Sequence, residues 1–255
     1  MPCSCGRLAA ARASLRQAQQ PLVASHCHLV ATHAQAPLGR LAALKDPCDL
    51  ALVAWTVLRV PGSNGHRAFA CTKIAPYFYG DNKSHFYVKW TADGYKSIGC
   101  TDLKCDGFVP VNYAPITPGA SLEGKSKITI KIFKKKDDGD WWLYFGHDGG
   151  NITPVGYWPK NLFNSLRDHA NMITWGGYTG SNVGEPNPQM GNGQWPGKKS
   201  ATFQDIQLVD DNEHGYAPPP WPAGVHSDVT HKKCYQVSVF MNNMFYYGGP
   251  GGCTD

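Results

Sequence analysis

An all-β fold, a two-sheet antiparallel β-sandwich with one short helix, is what three features of this sequence predict. Gly 28 and Pro 19 are too many for a helical protein and suit short strands joined by turns. Several segments alternate apolar and polar residues with a period of two. Hydrophobic residues reach 42% and aromatic residues 12%, enough to fill a core between two sheets.

The clearest strand is HFYVKWTAD, from His85. Phe86, Val88 and Trp90 share one face, and His85, Tyr87 and Lys89 share the other. KITIKIF, Lys127 to Phe133, alternates again; DDGD supplies a turn and WWLYFG, Trp141 to Gly146, returns as the second arm of a hairpin. ATFQDIQLVD from Ala201 and CYQVSVFMNNMFYYGG from Cys234 add further strands. The short helix is expected after Pro159, where Leu162, Phe163, Leu166 and Ala170 form one stripe. APPPWPAG, from Ala217, reads as a rigid extended connection. In ITWGGYTGSNVGE, Ile173 to Glu185, two adjacent glycines let the backbone turn, so Tyr178 is held out at a defined place.

Residues 1–74 have a different texture. Arg7, Arg12, Arg16, Arg40 and Lys45 occur before any acid. MPCSCGRLAAARASLRQAQQ has no compact apolar core followed by a cleavage site, so there is no clear signal peptide. An acid-poor, Arg-rich segment suits an organelle transit peptide better, with an artefact of gene prediction as the plain alternative. LALVAWTVLRV, Leu50 to Val60, is apolar but unaccompanied. The expected organisation is an atypical, poorly ordered segment over 1–74, dispensable for folding, followed by an N-terminally incomplete sandwich domain over 75–255.

The formal net charge of +5 does not point to nucleic acid. Of 24 Lys and Arg and 19 acids, 8 and 2 fall in residues 1–74, which leaves 16 against 17 beyond. Lys134, Lys135 and Lys136 are answered at once by Asp137, Asp138 and Asp140, a solvated hairpin end. No apolar run of about 18 residues offers a membrane span.

Of the nine cysteines, Cys100, Cys105, Cys234 and Cys253 lie beyond residue 74, an even number that permits two disulfides. Cys100 and Cys105 are close enough in sequence to bridge locally, and Cys234 and Cys253 flank the last apolar stretch. Zinc is the rival reading, disfavoured because the ten His are scattered without ligand spacing. No metal and no cofactor are expected: no phosphate loop, no dinucleotide fingerprint and no G-x-S-x-G elbow is present. Asn82-Lys83-Ser84 and Asn151-Ile152-Thr153 are glycosylation triplets, although Pro154 disfavours the second. Trp90, Trp141, Trp142, Trp158, Trp175, Trp195 and Trp221 fit core or groove wall better than a sugar-stacking platform.

Nine phrases, in order, resemble one plant family, the neprosin-type glutamic peptidase domain. They are YGDN at Tyr79, WTADGY at Trp90, GCTDLKCDGFV at Gly99, WWLYFG at Trp141, GYWPKNLFNSL at Gly156, MITWGG ending at Gly177, MGNGQWP at Met190, FQDIQLVD, and the terminal YYGGPGGC. The resemblance covers about residues 75–253. It implies a β-sandwich, secretion, the same two cysteine pairs, and prolyl endopeptidase activity at acidic pH. It also implies two catalytic glutamates, whose close like charges keep one protonated while the other is ionised. One follows the Trp-Gly-Gly phrase, where this chain has Tyr178. The other belongs to a Glu-Ala-Gly-Trp-like segment before YGDN, where the matching place, near Phe69, holds no carboxylate. The chain's three glutamates, Glu123, Glu185 and Glu213, stand at neither position. The expectation is a neprosin-like domain that has lost its peptidase centre. A secreted binding protein for Pro-containing peptides or cell-wall material is the alternative. The sequence leaves the oligomeric state open.

Overall fold

The computed structural model describes the strand backbones of residues 9–16, 24–30 and 50–59, and residues 65–254 apart from 126, 171, 183 and 219–224. In chain order the elements are β1 (Ala9–Arg16), β2 (Ala24–Val30), β3 (Leu50–Arg59), β4 (Arg67–Ile74), α1 (Pro76–Tyr79), β5 (His85–Thr91), β6 (Gly99–Thr101), β7 (Val109–Pro110) and β8 (Ile128–Lys134). They continue with β9 (Trp141–His147), β10 (Thr153–Trp158), β11 (Met172–Gly180), β12 (Ala201–Val209), β13 (Gly215–Tyr216), β14 (Val225–Val229), β15 (Gln236–Val237) and β16 (Phe245–Gly248). One sheet runs β14-β1-β11-β3-β4-β5-β6, the other β15-β16-β12-β2-β8-β9-β10-β7 with β13 beside β12. Pairing is antiparallel throughout these ladders.

The core lies between the two sheets and is built by the alternation the sequence shows. Phe86, Val88 and Trp90 of β5 meet Ile128, Ile130 and Ile132 of β8 and Trp141, Leu143 and Phe145 of β9 in one buried cluster. Phe86 meets Phe145 edge to face, ring centroids 5.1 Å apart, a favoured aromatic geometry. Trp90, Trp141, Trp158 and Trp175 are core residues, whereas Trp142 packs on the outer face and Trp195 is exposed. Trp221 and most of the Pro-rich connection lie outside the described residues.

The boundary expected at residue 74 does not coincide with an edge of the sandwich. β4 lies inside the first sheet, bonded to β3 and β5 along its length, and buries Ala68, Phe69, Ala70 and Cys71. Its burial on both faces is why it shows no period of two. β1 and β3 flank β11, and β2 sits between β12 and β8. The poor order expected over 1–74 otherwise concerns residues 1–8, 17–23, 31–49 and 60–64, which lie outside the described residues.

The helix expected after Pro159 is a single 3-10 turn, Lys160–Leu162. Phe163, Leu166 and Ala170 are buried nonetheless, from bends and turns. The Leu166 carbonyl accepts the Trp141 indole N–H at 2.8 Å instead of a helical partner. The one α-helix of the described residues is α1, with Pro76 in its first turn and Gly80 left-handed at its end.

The glycines after Trp175 do not end a strand either. β11 continues to Gly180, and its register against β3 shifts between Gly176 and Tyr178. β3 shifts against β4 at the same level, between Leu52 and Ala54, so the extra residue of the bulge belongs to β3. Gly177 is required by close packing. A Cβ there would lie 2.7 Å from Met190 Cγ and from Tyr247 Cε2.

Both expected disulfides are present, Cys100–Cys105 and Cys234–Cys253. The second ties the terminal segment to the core, and the Cys253 carbonyl accepts the Asn187 N–H at 2.8 Å. Replacing both Cys234 and Cys253 by Ser is expected to cost about 3 kcal/mol, the chain-entropy value for a loop of about twenty residues. Urea unfolding of oxidised protein checks it, and an unchanged midpoint would contradict it.

Candidate functional site

Side chains that leave the core on the outer face of the first sheet build a second, smaller cluster. Phe69 and Cys71 of β4 and Tyr87 of β5 form it, with Tyr79 and Tyr178 packed against it. Odd-numbered residues of β4 and β5 share this face, while their even-numbered neighbours enter the core. The structure thus brings Tyr178, and Phe69 near the second place where the resemblance implies a glutamate, to one face and one aromatic patch.

Register sets how far apart they stand on it. Tyr178 pairs with Leu52, and Leu52 pairs with Lys73. Tyr178 is therefore level with Lys73, while Phe69 lies four residues further along β4 and pairs with Val57. With β3 between, strand spacing and rise per residue put the two Cα atoms about 16 Å apart.

Burial opposes ionisation of the thiol and of two phenols in the patch. Burial pushes the Cys71 thiol well above its ordinary range. Burial also raises the Tyr79 phenol, reinforced by the Asp102 charge. The Tyr87 phenol rises for the same first reason. None of the three supplies an anion at neutral or acidic pH. Asp102 is the carboxylate that reaches the patch. Its Oδ1 accepts the Val88 N–H and its Oδ2 accepts the Tyr79 hydroxyl, each at 2.9 Å. Burial raises its carboxyl despite those bonds. It caps the β5–β6 ladder, since its own N–H donates to the Val88 carbonyl at 2.7 Å. His85 stacks on Tyr79 with centroids 3.9 Å apart and is held by the Gly119 carbonyl and Asp81.

The three glutamates are engaged elsewhere. Glu123 pairs with Lys83 at 2.6 Å. Glu213 accepts the Lys136 N–H at 3.1 Å. Glu185 is exposed in a turn, its carboxylate accepting the Asn182 amide at 3.3 Å. Cations take the place of acids on the patch: Lys73 lies 4.3 Å from the Tyr87 ring centroid and 4.5 Å from that of Phe78. The sequence showed Tyr87 and Lys89 on the outer face of β5, but not that β4 and β11 share it; strand order carries no local signal.

Among the described residues no group of three His, Cys, Asp or Glu is placed to hold a metal ion. No helix among them is long and apolar enough to cross a membrane.

The family model described as Neprosin matches residues 56–250, most of the chain. The chain belongs to the neprosin family. The match starts within β3, ahead of the boundary expected at residue 74. Two crystal structures of scytalido-glutamic peptidase, each with a transition-state analogue, are also similar. One, with a peptide-based analogue, is 8% identical with a TM-score of 0.41, and the other 9% with 0.40. Each alignment covers 95% of this chain and 97% of the other.

Proposed function

We propose that this neprosin domain holds Pro-containing peptides on the outer face of its first sheet without cutting them. One observation carries the reading. The face on which the family's glutamates are expected is filled by Phe69, Cys71 and Tyr87, buried beneath the half-buried Tyr79 and Tyr178, and the carboxylate that reaches it, Asp102, has both oxygens engaged. Glutamic-peptidase chemistry needs one carboxylate to take a proton from water and a second to give one. The Tyr79 and Tyr87 phenols, whose ionisation burial opposes, do neither. Half-exposed aromatic rings, here Tyr79 and Tyr178, are what proline-rich segments dock on, because their extended helix is preformed and costs little ordering entropy. The two disulfides and the exposed triplets at Asn82 and Asn151 support a secreted glycoprotein, as does the family.

The test is anisotropy of a fluorescent Pro-containing peptide titrated with the protein at acidic and neutral pH, followed by mass spectrometry of the mixture. Saturable binding with intact peptide is the expected result. New peptide termini would contradict the loss of catalysis, and a flat titration would contradict the binding role.

A further inference from the structure

Next to the aromatic patch the same face becomes strongly basic. Tyr95, left-handed at φ 73° in the turn after β5, carries Lys89 over its ring at 4.7 Å and Arg67 at 4.9 Å. The Phe78 ring has Lys104 at 3.5 Å and Lys73 at 4.5 Å. Among the described residues none of these four cations lies within ion-pair distance of a carboxylate. Two acids lie close by, and both are spent on other groups. Asp102 is buried with its two hydrogen bonds, and Asp93 accepts the N–H groups of Lys96, Ser97 and Ile98 at 2.7–3.0 Å.

Two of these cations, Lys89 and Lys104, line a cavity of about 280 Å³ together with Lys96 and Tyr95, beside the Cys100–Cys105 disulfide. Its volume falls just below the usual range for whole small-molecule ligands, so it suits a single side chain of a longer ligand. Tyr95 also meets Phe69 edge to face, centroids 6.4 Å apart, which joins the cavity to the aromatic patch.

We propose that the cavity takes a carboxylate side chain, so that the ligand of this face is an acidic peptide, with Asp or Glu a short way from proline. The proposal rests on the reading of the face as a peptide-binding surface and adds its charge preference. Lys89 and Lys104 lie over the Tyr95 and Phe78 rings with no ion pair to a carboxylate among the described residues, so an incoming carboxylate completes the pairing. Two family glutamates on this surface would repel such a ligand; Phe69 and Tyr178 do not.

The experiment compares three Pro-containing peptides of equal length bearing Glu, Gln or Lys at the flanking positions, by anisotropy at low and high salt. The Glu peptide is expected to bind about tenfold tighter than the Gln peptide at low salt, the sum of a few exposed ion pairs. The gap should close as salt rises. Lys89→Gln/Lys104→Gln should abolish it. Lys96→Gln, at an exposed position, should narrow it without disturbing the fold. Equal affinity for all three peptides would overturn the acid preference and leave peptide binding standing. A preference that survives the lysine substitutions would overturn the cavity as its source. Binding of none of the three would overturn peptide recognition altogether, and oligogalacturonate binding in its place would assign the basic face to an acidic polysaccharide.

Discussion

A chain beginning at Ile74 is expected to aggregate and to show no cooperative melt. The cut removes β1, β2, β3 and β4. β11 then loses the neighbours on both its sides, β1 and β3. β5 loses β4, the partner that pairs with it from Arg67 to Lys73. In the other sheet β12 and β8 lose β2, which bridges them. Each lost ladder leaves unpaired N–H and C=O groups on a sheet edge, the template for edge-to-edge association. Ala68 and Ala70 also leave the core, opening space beside Trp90 and Val88. Texture alone suggests the opposite, that residues 1–73 are dispensable, and the strand pairings reverse that expectation. Solubility and a thermal melt of the shortened chain beside the full one decide it. A soluble short form with a cooperative melt would mean that the sandwich closes without these four strands.

How far the sequence can be read follows from which strands have one face in the core and one outside. β9 alternates because it is half-buried, and β5, β8 and β12, although largely buried, alternate in chemistry because outer-face positions such as Lys89, Lys131 and Gln204 are polar. β4 is buried on both faces, so RAFACTKI carries no period. AAARASLR, which forms β1, has an Ala- and Arg-rich composition that local propensity assigns to helix or disorder, and its strand state rests on pairing with β11 and β14. The stripe after Pro159 has helical spacing, yet the chain is held there by contacts such as Trp141 to Leu166, which no local pattern encodes. The disulfides were legible because four cysteines fell in two pairs near in sequence. The identity of Tyr178 was legible from its phrase. Its level on the sheet depends on the β3 bulge and was not.

This neprosin domain has no carboxylate at Tyr178 or at Phe69. Loss of one member of a catalytic unit commonly costs on the order of 10⁴–10⁶ in rate, and loss of the next adds little. Here both positions are without a carboxylate, so the native chain should not exceed the uncatalysed rate. Tyr178→Glu alone should not restore activity, because a lone glutamate lacks the partner with which to share a proton. Adding Phe69→Glu should not suffice either. Sharing a proton needs carboxyl oxygens about 3 Å apart. The register, by contrast, leaves the two backbone positions about 16 Å apart, with side chains standing off the sheet. The deciding measurement is the initial hydrolysis rate of an internally quenched Pro-containing peptide at acidic pH. It compares the native chain, Tyr178→Glu, and Phe69→Glu/Tyr178→Glu, each checked for a native melt. All three are expected to match the protein-free blank. Turnover by the native chain, in proportion to protein concentration, would contradict the loss of the acid pair, and turnover by the double variant alone would show that the two positions meet after all.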